Sequence, residues 1–247
     1  MKIYRIILVA CVLISVMGGH TALALADTVP DRLVLNYKMF RGSTAVAKVQ
    51  RILQREGSRY RSTSIAEPIG VARLLVKDPL HEESVFAVEG HNVRPLRYFE
   101  SRDTDRANQT TVTFDWQQRQ IQFSDGRHLN IPEHEVQDLS SFLVALMVRP
   151  VEQLAGQRIN VVSAKGLREY RYEDPIEEVI DTALGKLRTW RIEKRRLDRP
   201  ERSVTVWLAI DLGHAPVKVV SRKNDKATTL AITAIEGIEP TELPLIP

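Results

Sequence analysis

Val204-Thr205-Val206-Trp207-Leu208-Ala209-Ile210-Asp211-Leu212-Gly213-His214-Ala215-Pro216-Val217-Lys218 decides the fold class of this chain. Val204, Val206, Leu208 and Ile210 alternate with Thr205, Trp207, Ala209 and Asp211. A period of two sends successive side chains to opposite faces of a β-strand. Asp211-Leu212-Gly213-His214 is turn chemistry, and Ala215-Pro216-Val217 opens the next strand. Strands joined by so short a turn pair antiparallel.

Working outward, the same alternation recurs through Leu33, Leu35, Tyr37 and Met39, through Val112, Phe114 and Trp116, and through Ile121 and Phe123. It returns at Tyr170 and Tyr172 and at Trp190 and Ile192, while Glu56-Gly57 and Asp125-Gly126 mark turns. One apolar face per strand is the pattern of a sheet wrapped round a core. About twelve strands are expected, more than an open twisted sheet carries without curling. The expected fold is therefore mainly β, a curled antiparallel sheet or incomplete β-barrel.

Two stretches break the rhythm. Residues 133–148 read as a helix covering the concave face: Pro132 opens it, Glu133 and Glu135 sit in its first turn, and Val136, Leu139, Leu143 and Leu146 recur at helical spacing. Arg149-Pro150 stops it. Pro175 to Leu184 reads as a short helix or a strand.

The start of the chain has a different character. Lys2 and Arg5 precede an apolar run from Ile6 to Met17, followed by Gly18-Gly19 and Thr21-Ala22-Leu23-Ala24-Leu25-Ala26. A basic start, a short apolar core and an Ala-x-Ala end predict a secretory signal over residues 1–26, cleaved after Ala26. The run falls short of the roughly 20 residues of a spanning helix. Leu8-Val9-Ala10-Cys11 has the letters of a lipoprotein box, but apolar residues continue past Cys11, so lipidation is not expected. Residues 27–235 read as one β-rich domain and 236–247 as an extended tail carrying Pro240, Pro244 and Pro247. A periplasmic protein with no transmembrane span after the leader is expected.

Composition narrows the function. Cys11 is the only cysteine, so the processed chain has no disulfide, thiol nucleophile or cysteine-held metal. The 35 basic and 31 acidic residues nearly balance once Lys2 and Arg5 leave with the signal, so no nucleic-acid partner is expected. His81, His91, His128, His134 and His214 are scattered singly through expected turns, without zinc-ligand spacing. Ser140 and Ser141 lack a Gly-x-Ser-x-Gly elbow, and Asp138-Leu139-Ser140 reads as a helix-start cap. Phosphate-cradling glycine motifs are absent, so no cofactor is expected. The carboxylates of Asp103 and Asp105, or of Glu177 and Glu178, are not set across a cleft by their spacing. No catalytic set emerges, and the chain reads as a non-enzyme.

Two candidate features remain. Phe114, Trp116, Phe123, Leu143, Trp190 and Ile210 line a ligand cavity or fill the core; barrel interiors occur both ways. Lys186 to Arg202 holds eight basic residues and three acids, with Arg191 and Arg195 as a basic rim. That strip docks anionic head groups or an acidic partner, or else protects strand edges with charge.

The order of Tyr37, Gly42, Tyr60, Pro68-Ile69-Gly70, Thr113-Phe114-Asp115, Asp138-Leu139-Ser140-Ser141-Phe142, Gly156 and the Trp207…Asp211…Pro216 hairpin resembles a bacterial exported family known as domain of unknown function 3108. The resemblance covers roughly Leu33 to Ile235. It implies an incomplete β-barrel like that of periplasmic lipoprotein carriers, with helix over the open face, and supplies no activity or catalytic residue. The expected partners are a lipid or amphiphile, or an envelope protein.

Overall fold

The computed structural model describes residues 29–76, 78–102 and 109–238. The expected signal (1–26) and most of the Pro-rich tail lie outside the described residues. Among the described residues, sixteen strands form one sheet. The first run is β1 (Arg32–Arg41), β2 (Thr44–Glu56), β3 (Arg59–Pro68), β4 (Leu80–Glu89) and β5 (Asn92–Ser101). Short strands β6 (Gln109–Asp115), β7 (Gln120–Phe123), β8 (His128–Asn130) and β9 (Glu135–Asp138) follow, then the helix α1 (Ser141–Val148). The second half is β10 (Arg158–Ser163), β11 (Gly166–Tyr172), β12 (Ile176–Thr182), β13 (Gly185–Arg196), β14 (Arg202–Ala209), β15 (Ala215–Lys223) and β16 (Lys226–Glu236).

The path across the sheet runs from β8 back to β1, on to β16, and down through β15, β14, β13, β11 and β10 to β9, with β12 paired to the side of β13. Neighbours pair antiparallel, mostly as hairpins but also as the long-range pairs β1–β16 and β11–β13, except at β9 and β10, which pair parallel from Glu135 and Ile159 onward. The two edges, β8 and β9, are consecutive in the chain but share no ladder. The sheet therefore curls without closing, in agreement with the incomplete barrel expected from sequence.

Side chains close the seam instead. Phe114, Ile121 and Phe123 from one edge pack with Val136 and Val162 from the other. Arg127 donates from the β7–β8 turn to the Ala164 carbonyl at 2.8 Å. Strand β9 also turns inward: Gln137 Nε2 donates to the Val93 carbonyl of β5 at 2.7 Å, and Ser84 Oγ of β4 donates to Asp138 Oδ2 at 2.6 Å.

The expected helix over 133–148 is shorter than the periodicity suggests. Glu135–Asp138 is a strand, and helix begins at Ser141. The cause is Asp138, whose Oδ1 accepts the N–H groups of Ser140 and Ser141 at 2.8 and 2.9 Å, while its own N–H donates to Ser141 Oγ. This reciprocal cap fixes the helix start. Leu139, counted on the apolar stripe, is 40% exposed. All eight residues of α1 are buried, as befits a helix that is apolar all round. Val144, Ala145, Met147 and Val148 join the cluster of β1–β5 and the neighbouring β15 and β16, and Phe142, Leu143 and Leu146 meet the β10–β14 wall. The helix is thus an internal plug.

Other departures are local. Residues 176–182 are strand, with Glu177 and Glu178 in ladder with Trp190 and Thr189. Strand β14 ends at Ala209, and Ile210–Leu212 is a 3₁₀ turn. His81 and His128 lie in strands rather than turns, and His91 Nδ1 contacts the Val148 carbonyl at the end of α1. Gly237 is forced by packing, because a Cβ there would lie 2.1 Å from the Arg32 carbonyl oxygen.

Candidate functional site: an apolar mouth above a polar row

Strand register sorts the inner wall into transverse rows. At the Arg41 end of the strands, Met39 faces Ala47 and Ala47 faces Pro68. The next row is Tyr37, Val49, Ala66 and Leu80. Both rows are apolar apart from the Tyr37 hydroxyl, which donates to the Pro216 carbonyl at 2.6 Å. The following row, Leu35, Arg51, Ser64, Glu82 and Glu100, is polar beyond Leu35.

Glu82 and Glu100 stand directly opposite one another, a like-charge pair that repels. The Tyr98 hydroxyl sits between them, 2.8 Å from Glu82 Oε1 and 3.1 Å from Glu100 Oε2. Burial and the neighbouring carboxylates hold the Tyr98 phenol far above its ordinary range, so it remains a donor. Arg51 Nη1 donates to Ser140 Oγ at 3.0 Å, tying the row to the start of α1. Burial raises the Asp138 carboxyl, and its hydrogen bonds from Ser84, Ser140 and Ser141 oppose that rise.

A loop overhangs the apolar rows. After Pro68 the chain turns at Gly70, whose φ of 56° favours a residue without a Cβ, into the 3₁₀ turn Gly70–Leu74. The Ile69 N–H bonds the Val46 carbonyl at 2.9 Å and Arg73 Nε bonds the Pro68 carbonyl at 3.0 Å, anchoring the loop's base. A cavity of about 390 Å³ lies between Met39, Val46, Ala66 and Leu80 on the sheet and Val71, Leu75 and Val76 on the loop. Arg41 and Arg102 also line it. No residue of the turn is buried; Leu74 is 82% and Leu75 89% exposed.

The residues singled out from sequence sit elsewhere. Phe114 and Phe123 are in the seam cluster, with Trp116 packed against it. Trp116 Nε1 donates to the Pro95 carbonyl at 2.7 Å. Leu143 is on α1 in the second cluster, with Trp190 packed against it. Ile210 is half-buried at the start of its 3₁₀ turn. None of the six lines the mouth cavity.

The two rim arginines face acids that strand pairing brings near. Arg195 reaches Glu193 at 2.7 Å and Glu173 at 3.2 Å, and Arg191 lies 3.9 Å from Glu178. Arg188 and Arg196 likewise meet Glu177 and Asp198. Counting charge between 186 and 202 could not include Glu173, Glu177 and Glu178, which arrive from β12 and the segment before it.

Sequence reading passed over the mouth. Its signal was Val71-Ala72-Arg73-Leu74-Leu75-Val76, an apolar run without strand alternation directly after Pro68-Ile69-Gly70. A short apolar run without a period reads as a buried strand as readily as a loop, so periodicity alone does not place it.

Solved structures contain a similar architecture. A β-barrel-like protein of domain of unknown function DUF1849 from Brucella abortus superposes with a TM-score of 0.52 at 10% identity, covering 85% of this chain and 98% of the other. That likeness concerns the fold alone. Among curated proteins none matches. The model of the family described as "Protein of unknown function (DUF3108)" matches residues 33–228, the span that holds the mouth, the polar row and the plug helix. This chain belongs to the DUF3108 family.

Proposed function

We propose that this protein is an exported, periplasmic, non-enzymatic binding protein that holds the apolar chain of a lipid-like amphiphile at the mouth of its curled sheet. The mouth cavity carries this reading: its walls are mostly aliphatic, and Arg41 and Arg102 among the lining can meet an anionic polar end. A volume of about 390 Å³ falls within the roughly 300–1,000 Å³ of small-molecule sites. Burying about ten methylenes gains about 8 kcal/mol, a micromolar Kd before the cost of ordering the chain. Export rests on the basic start, apolar run and Ala-x-Ala end of residues 1–26. A binding role rather than chemistry is supported by Ser140 and Ser141, both fully buried and held by Arg51 and Asp138.

Ala66 is the residue to alter, because it faces the cavity from the middle of the apolar rows. Ala66→Phe fills the space. Titration with a fluorescent fatty acid is expected to give saturable, micromolar binding by the native protein, weakened at least tenfold in a folded Ala66→Phe protein. Equal binding by both, or none by the native protein, contradicts the reading. A second reading, an envelope scaffold with a filled interior and no ligand, is favoured by the complete burial of α1. It predicts no binding at all.

A further inference from the structure

One end of the strands gathers several features that the cavity alone does not need. The β1–β2 turn, the loop after β3, the end of β5, the β15–β16 turn and the start of β14 all lie there. Three depressions run along this end and share walls. The mouth cavity shares Arg41 and Thr228 with a depression at the β15–β16 turn. That depression shares Ser221 and Lys223 with another beside β14.

The lining of these depressions includes Arg41, Arg102, Arg202, Arg222, Lys223 and Lys226, none of which forms an ion pair among the described residues. Arg202 Nε is buried with no hydrogen-bond partner among the described residues. Among the described residues, Asp78 and Asp225 are the acids of the same linings. Arg196, which also lines the third depression, pairs with Asp198, and Arg188, Arg191 and Arg195 outside these linings all meet carboxylates. Beside the unpaired bases stands the apolar loop, with Val71 67%, Leu74 82% and Leu75 89% exposed. Isolated exposed aliphatics are ordinary, but a contiguous group rimmed by polar residues marks an interaction surface, and here the rim is mostly basic.

We propose that this end of the molecule docks onto a lipid bilayer carrying anionic headgroups. Leu74 and Leu75 enter the interface, and the surrounding Arg and Lys side chains meet the phosphates. Apolar insertion together with basic charge is what interfacial attachment requires, because either contribution alone is weak. A second copy of the chain would bring the same excess of positive charge to this surface, which disfavours it as the occupant. The inference goes beyond ligand binding in the cavity and stands without it, because Leu74 is not part of the cavity wall.

Vesicle flotation tests it, with phosphatidylcholine alone and with phosphatidylcholine mixed with phosphatidylglycerol, using the full chain and the form starting at Asp27. The native protein is expected to float with anionic vesicles and at least tenfold less with neutral ones. Leu74→Glu is expected to reduce flotation at least tenfold while keeping fatty-acid binding. Lys223→Glu with Lys226→Glu is expected to reduce it similarly and to remove most of its salt dependence. Ala66→Phe, which fills the cavity, should float like the native protein, as should Arg191→Glu with Arg195→Glu. Failure of the form starting at Asp27 to float, or unchanged flotation of Leu74→Glu, overturns the proposal. Sedimentation showing a native dimer that Leu74→Glu converts to monomer also overturns it, in favour of a second copy. Loss of fatty-acid binding with intact flotation would count against the cavity reading alone.

Discussion

Lys194 is the side chain most at odds with its surroundings. It is 2% exposed on β13, with Nζ 3.4 Å from the centre of the Phe142 ring and 4.4 Å from that of Tyr170. The ring faces favour an ammonium, yet burial dominates and lowers its pKa well below the ordinary lysine value, with only Glu135 pulling the other way. The unfolded chain binds a proton up to about pH 10.4, and the folded chain releases it earlier, so stability rises with pH through that window. Lys194→Met is expected to stabilise the fold at pH 7 by about 1–2 kcal/mol, with the advantage shrinking towards pH 10. Urea midpoints at the two pH values check this; a destabilised variant at pH 7 contradicts it. Asp138 has the opposite sense. Burial raises its folded pKa, so the fold binds a proton that the unfolded chain has released above about pH 3.9, and stability falls as pH rises through the interval. Asp138→Asn should therefore gain in melting temperature relative to the native protein between pH 4 and pH 7. A constant difference would show that the carboxyl does not titrate within the fold.

At the scale of elements, α1 shows what periodicity can and cannot say. Leu143 and Leu146 are on the expected helix, but Val136 is a strand residue packed across the seam and Leu139 is exposed. An i, i+3, i+4 pattern is blind to a capping carboxylate that receives its third hydrogen bond from Ser84, 54 residues away. The strand over residues 176–182 was ambiguous for a related reason. Its glutamates suit either a helix start or an exposed ladder, and only pairing with β13 decides. The plug itself should be costly to damage. Leu146 is 1% exposed among Ile159, Ile192 and Val206, so Leu146→Ala is expected to cost about 2–5 kcal/mol. Denaturant unfolding of the variant measures it, and a loss under 1 kcal/mol would mean that the interior is loosely packed.

At the scale of the molecule, the curl and the antiparallel order were legible because each strand carries its own alternation, as Leu33 to Met39 and Val204 to Leu208 do. Where the sheet fails to close was not. β8 and β9 are only three and four residues long, and the seam between them is sealed by Phe114, Phe123 and Val162, residues that read as ordinary inward faces. The mouth was hidden because it is made by register. Met39, Ala47, Ala66 and Leu80 come from four strands and share nothing in sequence beyond being apolar. With α1 filling the space deeper inside, the mouth is where the account places a ligand, and native mass spectrometry of detergent-free protein tests that most directly. A reproducible extra mass of lipid size is expected on the native protein and not on Ala66→Phe. A bare protein mass that persists after incubation with envelope lipids would contradict it.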